Sequence, residues 1–188
     1  MALEAQRKYG PSALLTPSNA ITVVRLAATP FFVIALQAEG PSIPMVVAWL
    51  ALSATDKLDG WLARRQGPTR SGAFLDPLAD KVVVLAAMGA LVAVDRMWIV
   101  PVLIIAVREA VMTAYRSYVG RRGISVPAGM LGKIKTVVQD LAVALALVPA
   151  FSGSYRTAVA TVLWLAVALT VISGIQYLRD GRHVMANL

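Results

Sequence analysis

The chain has 188 residues, of which 58% are hydrophobic and 15% charged, and its mean hydropathy is +0.70. That is too apolar for an ordinary water-soluble domain, and the absence of cysteine excludes disulfides and thiolate ligands. The formal charge of +8 does not point to nucleic acid, because the basic residues gather at the ends of apolar runs, where anionic lipid and phosphorylated substrates are the better partners.

Residues 1–18 are mixed and basic, with Arg7 and Lys8 ahead of a segment that closes at Pro17, and they read as an interfacial helical segment. No apolar stretch with a small-residue cleavage site follows, and Arg25 interrupts the first hydrophobic run, so a cleaved signal peptide is not expected. A single all-α membrane domain is expected over 19–180, with a cytoplasmic tail at 181–188. Its apolar runs predict about six transmembrane helices, at roughly 21–38, 43–64, 74–94, 98–119, 134–151 and 156–178, each suited to a hydrocarbon layer of about 30 Å. Gly40-Pro41, Gly67-Pro68 and the stretch from Gly123 to Gly132 mark the breaks.

In the first span Asn19, Thr22 and Arg25 recur at three-residue spacing and make a polar stripe. The second and third spans carry the chain's most informative residues, Asp56, Asp59, Asp76 and Asp80. A charge at the centre of a membrane helix costs about 2.5 to 3.5 kcal/mol on insertion scales, so carboxylates there line a polar cavity or hold a cation. The fourth and fifth spans add Arg108, Glu109, Arg116, Lys133 and Lys135, then Gln139 and Asp140, which suit either a pocket or a partner subunit. Four tryptophans, at 49, 61, 98 and 164, are candidates for interfacial anchoring.

Loop charge predicts orientation. Arg64, Arg65 and Arg70 lie between spans two and three, Arg121, Arg122, Lys133 and Lys135 between four and five, and Arg179 and Arg182 after six, against Arg96 and Arg156 on the other side. The positive-inside rule puts both termini, the basic loops and the aspartate end of the bundle in the cytoplasm of a cell membrane.

Residues three or four apart on a helix share a face, so Asp56 pairs with Asp59 and Asp76 with Asp80. Four carboxylates suit a hard divalent cation and not a metal that favours thiolate or imidazole. The bland alternative is that they are helix-end acids satisfied by Arg64, Arg65, Arg70 and Lys81. Gly60, Ala63 and Gly72 lie beside them, where small side chains permit either a ligand's approach or close helix packing.

Asp56, Asp59, Gly60, Ala63 and Arg64, followed after seven residues by Gly72, Asp76 and Asp80, resemble the full signature of the CDP-alcohol phosphotransferase family, with every fixed position occupied. The resemblance implies a six-helix membrane fold, usually a homodimer, that binds Mg²⁺ or Mn²⁺ against the pyrophosphate of a CDP-linked substrate. It implies Asp56, Asp59 and Asp76 as metal ligands and Asp80 as general base that also touches metal. Gly60, Ala63 and Gly72 would make room for the cytidine nucleotide, while Arg64 would pair with its phosphate or anchor a helix end. Asn19, Thr22 and Arg25 fit contacts to the CDP-lipid headgroup; an N-cap followed by a snorkelling arginine explains the same stripe.

The segments TPSNAITVVR (16–25), VREAVMTAYR (107–116) and GKIKT (132–136) are similar to the branch of that family that joins CDP-diacylglycerol to glycerol 3-phosphate; the last span adds little to the likeness. A phosphorylated acceptor needs fixed cations, for which Arg108, Arg116, Lys133 and Lys135 are the candidates. Arg108 is the most telling, since an arginine at membrane depth needs a partner or a ligand; Glu109, next to it, projects about 100° away on the helix. Anchoring at the interface accounts equally for Arg116, and Lys135 with Thr136 is the preferred phosphate contact. Other acceptors, phosphatidylglycerol or inositol phosphate, remain alternatives within the family, and a cation transporter is the alternative outside it.

Overall fold

In a computed structural model of the chain, residues 17–66, 72–121, 130–149 and 153–186 are described, with side chains at 19–55, 78–120, 130–149 and 153–179. Among the described residues six helices follow one another: α1 Pro17–Glu39, α2 Ile43–Gln66, α3 Gly72–Ala93, α4 Ile99–Arg121, α5 Met130–Ala146 and α6 Gly153–Ala186. No strand occurs among the described residues. The chain divides into two compact units, one ending at Ala90 and the other starting at Leu91, so the division falls within α3.

In the first unit α1 packs on α2. Pro17 opens α1, where its missing N–H costs no helical hydrogen bond. Pro30 lies inside the same helix, and one residue earlier Thr29 Oγ1 donates to the Arg25 carbonyl at 2.8 Å, a hydroxyl back-bond within the helix. Gly40 ends α1 in the left-handed region, at φ 73°, with its N–H donating to the Leu36 carbonyl at 3.0 Å. That is the C-cap geometry glycine adopts without steric cost, and Pro41 then prevents the helix from continuing.

α1 buries polar residues beside Phe32 and Leu36 and exposes apolar ones. Arg25 is 3% exposed and Asn19, Thr22 and Thr29 are also buried, whereas Val24 is 66% exposed and Phe31 73%. Water would favour the reverse arrangement, while a hydrocarbon surround satisfies this one. Trp49 of α2 is buried and tilts against Phe32 of α1, with ring centroids 6.0 Å apart, so it belongs to the core rather than to an interfacial belt. Trp98 and Trp164 are exposed, as anchoring requires.

In the second unit α6 packs against both α4 and α5. α3 ends in a turn in which Arg96 N–H donates to the Leu91 carbonyl at 2.8 Å and Asp95 takes φ 56°, a left-handed position that aspartate tolerates better than most residues. The carbonyls closing α5 are met by side chains: Arg96 Nη1 donates to Val148 at 3.3 Å and the Tyr155 hydroxyl to Leu145 at 3.0 Å. These contacts supply donors to orphan carbonyls, and the arginine also complements the negative end of the helix.

α5 repeats the inversion seen in α1, burying Lys135 and Gln139 and exposing Ile134, Val137 and Leu141. Among the described residues two stretches, Asn19–Glu39 and Gly153–Arg179, are long and apolar enough to cross a membrane by length and composition. α6 runs on to Ala186, past the predicted end near 178, because hydropathy marks where lipid contact stops and not where backbone hydrogen bonding does.

Candidate active site

The aspartate motif spans two helices. Asp56 and Asp59 lie in the C-terminal half of α2, and Asp76 and Asp80 in the N-terminal half of α3, whose first residue is Gly72. Continuous helix at both places keeps each pair on one face. The side chains of Asp56, Asp59, Gly60, Ala63, Arg64, Gly72 and Asp76 lie outside the described residues; that of Asp80 is half-buried. Among the described residues no three acidic, histidine or cysteine side chains gather at one point. The donor chemistry of the motif, carboxylate oxygen throughout, fits a hard divalent cation.

Asn19, Thr22 and Arg25 share one buried face of α1. The helix starts at Pro17, so Asn19 lies inside the first turn instead of capping it, and Arg25 does not snorkel. Neither half of the bland explanation of this stripe describes the structure.

The four cations expected from sequence to bind a phosphorylated acceptor separate into two kinds. Arg116 and Lys133 are exposed, and the Arg116 guanidinium sits 5.5 Å from the centroid of the Tyr177 ring, at a distance where cation–π attraction operates. Arg108 and Lys135 lie inside. Arg108 Nη1 donates to Glu109 Oε1 at 2.8 Å, and Lys135 Nζ donates to the same oxygen. Side-chain exposures of 15%, 5% and 10% for Arg108, Glu109 and Lys135 mark the group as largely withdrawn from solvent. The helical angle of about 100° between consecutive residues did not separate Arg108 from Glu109, since the long arginine stem reaches back to the carboxylate.

α6, which lies outside the aspartate motif, completes this cluster. Arg108 Nη2 donates to Ser173 Oγ at 3.0 Å, and the Ser173 hydroxyl donates to the Thr170 carbonyl at 3.1 Å. A Cβ placed on Gly174 would stand 3.0 Å from Arg108 Nε, so the guanidinium occupies room that this glycine leaves. Gln139 of α5 donates to Thr170 Oγ1 at 3.0 Å, which spends it on helix packing within the second unit. The sequence signal for α6 was the small polar pair Ser173-Gly174 inside an otherwise apolar run.

The family model for CDP-alcohol phosphatidyltransferase matches residues 15–172. A Mycobacterium tuberculosis protein named "Probable phosphatidylglycerophosphate synthase" is 39% identical over 188 aligned residues, covering 94% of this chain and 88% of the relative. Proteins named CDP-diacylglycerol–glycerol-3-phosphate 3-phosphatidyltransferase are similar too. The one from Bacillus subtilis is 38% identical, over 85% of this chain and 91% of the relative. The one from Haemophilus influenzae is 37% identical, over 86% and 91%. Among solved structures, the apo crystal structure of Mycobacterium tuberculosis phosphatidylinositol phosphate synthase superposes with a TM-score of 0.66 at 22% identity, covering 88% of each chain, a likeness of fold alone. With its complete motif and a family match across most of its length, the chain belongs to the CDP-alcohol phosphatidyltransferase family.

Proposed function

We propose that this protein is an integral membrane enzyme that transfers the phosphatidyl group of CDP-diacylglycerol to sn-glycerol 3-phosphate, giving phosphatidylglycerol phosphate and CMP. The observation that carries the reading is the near full-length similarity, at 37 to 39% identity, to relatives named for that reaction or its product. The uninterrupted eight-position motif on α2 and α3 supports an active enzyme rather than a transporter or scaffold.

Roles follow from residue chemistry. Asp56, Asp59, Asp76 and Asp80 would hold Mg²⁺ or Mn²⁺, whose Lewis acidity favours departure of CMP. Asp80 accepts the proton of the attacking acceptor hydroxyl. The acceptor oxygen forms its bond to the phosphatidyl phosphorus as the bond from phosphorus to CMP breaks. Gly60, Ala63 and Gly72 leave space for the nucleotide, Arg64 neutralises its phosphate, and the buried stripe Asn19, Thr22 and Arg25 contacts the donor headgroup. Arg108 and Lys135 bind the acceptor's phosphate, the first as a fork and the second as a point charge.

All six helices cross the cell membrane in this reading. Both termini and the reacting groups face the cytoplasm, as the bias of Arg and Lys toward three of the loops and ends supports, and the enzyme works as a homodimer. The test is transfer of radiolabel from glycerol 3-phosphate into chloroform-extractable lipid by purified protein, dependent on both CDP-diacylglycerol and Mg²⁺. Label entering lipid from another phosphorylated alcohol, with none from glycerol 3-phosphate, overturns the acceptor assignment.

A further inference from the structure

Among the described residues of the second unit, Arg108, Glu109, Lys135 and Ser173 form one connected polar group drawn from three helices. Glu109 Oε1 on α4 receives the Arg108 guanidinium and, from α5, the Lys135 ammonium. Ser173 and the open space at Gly174, both on α6, fix the other side of the guanidinium. One carboxylate thus serves two cations, and the three side chains sum to a formal charge of +1. A phosphate oxygen could accept from either cation in the same way. Yet the oxygen that now occupies the cations is the one a phosphate oxygen would have to replace.

We infer that Glu109 is a positioning residue and resident counter-ion: it keeps Arg108 and Lys135 together while no acceptor is bound, and it competes with the acceptor's phosphate for both. The inference rests on the assignment of those two cations to the acceptor under Proposed function. It adds a basis for selectivity. A phosphate dianion offers two charges and several oxygens against the single charge of Glu109, and so displaces it. A neutral hydroxyl compound or a monoanion does not, and finds the cations occupied. Because the cations are ligand-ready only when Glu109 has let go, the apparent affinity for phosphate is lowered by that fraction.

The experiment compares the full-length wild-type protein with Glu109→Gln, which keeps the side chain's size and removes its charge. Binding of inorganic phosphate to the detergent-purified protein is measured by calorimetry, alongside KM for glycerol 3-phosphate and for CDP-diacylglycerol. Competition predicts that E109Q lowers both the phosphate Kd and the acceptor KM by about tenfold, with the CDP-diacylglycerol KM within about twofold of wild type. A rise, or no change, in the phosphate Kd overturns the inference, because a purely structural ion pair can only lose affinity when it is broken. Should E109Q not fold, the pair R108Q and R108Q/E109Q carries the test, since the double variant keeps the cluster at +1; loss of Glu109 must again strengthen phosphate binding. Failure of the functional reading looks different: wild-type protein then binds phosphate in the calorimeter but makes no lipid from glycerol 3-phosphate.

Discussion

Lys135 of α5 and Glu109 of α4 form a buried ion pair, and the same carboxylate oxygen also holds Arg108. Two cations drawn to one point between helices is an arrangement that helix packing alone does not require. Hydrogen bonds to charged groups are worth about 1.5 to 3 kcal/mol, or roughly 10- to 100-fold in affinity. Lys135→Ala and Arg108→Ala are therefore each expected to raise KM for glycerol 3-phosphate by at least about tenfold, with little effect on KM for CDP-diacylglycerol. Steady-state kinetics with each substrate varied in turn checks this. Equal losses for both substrates would contradict an acceptor-specific role.

Gly174 gives the same cluster a second handle. A methyl at this position would approach Arg108 Nε to 3.0 Å, so the guanidinium must shift by a few tenths of an ångström, which disturbs its hydrogen bond to Ser173. Gly174→Ala is expected to raise the acceptor KM by roughly threefold, corresponding to about 0.6 kcal/mol, while the unfolding temperature in detergent changes little. Gly174→Leu, which cannot be absorbed by that shift, should abolish acceptor binding. Wild-type KM values in both variants would mean that the position of Arg108 is irrelevant to the acceptor.

Asp80 is assigned the proton-accepting role, which contributes about 10²- to 10⁴-fold in general-base catalysis. Asp80→Asn keeps the side chain's shape and removes the base. It is expected to lower kcat by that factor while leaving CDP-diacylglycerol binding, read by protection against thermal unfolding, close to wild type. Turnover near the wild-type rate would remove the assignment.

Trp49 and Trp98 test the fold in opposite directions. Trp49 is buried against Phe32, and truncating a buried aromatic costs about 3 to 5 kcal/mol. Trp98 is 61% exposed. Trp49→Ala should lower the unfolding temperature sharply, whereas Trp98→Ala should leave it nearly unchanged in detergent. The reverse order would put Trp49 at the membrane interface after all.

The helices were legible because a hydrocarbon layer imposes a length on every apolar run. α1 to α4 start and end within about four residues of the apolar runs that predicted them. α5 is displaced toward its N-terminus, at Met130–Ala146, since Gly132 and Lys133 are helical although neither is apolar. The aspartate motif was legible for a different reason: charges at fixed helical spacing inside apolar sequence have few uses other than a polar site. The partner of Arg108 was not legible. Helical geometry turns adjacent side chains apart, and only the flexible length of arginine, together with Lys135 arriving from another helix, brings the charges to one oxygen. Nor did sequence spacing show that Gln139 would be taken up by Thr170, because that pairing depends on the packing of α5 on α6.

CMP release from CDP-diacylglycerol by the detergent-purified protein with Mg²⁺ reports the transfer reaction itself. Glycerol 3-phosphate, inositol phosphate and phosphatidylglycerol are supplied in turn as acceptor. CMP release is expected to depend on glycerol 3-phosphate and to fall to background with the other two. Release with either of those and none with glycerol 3-phosphate, in protein that unfolds cooperatively, would contradict it.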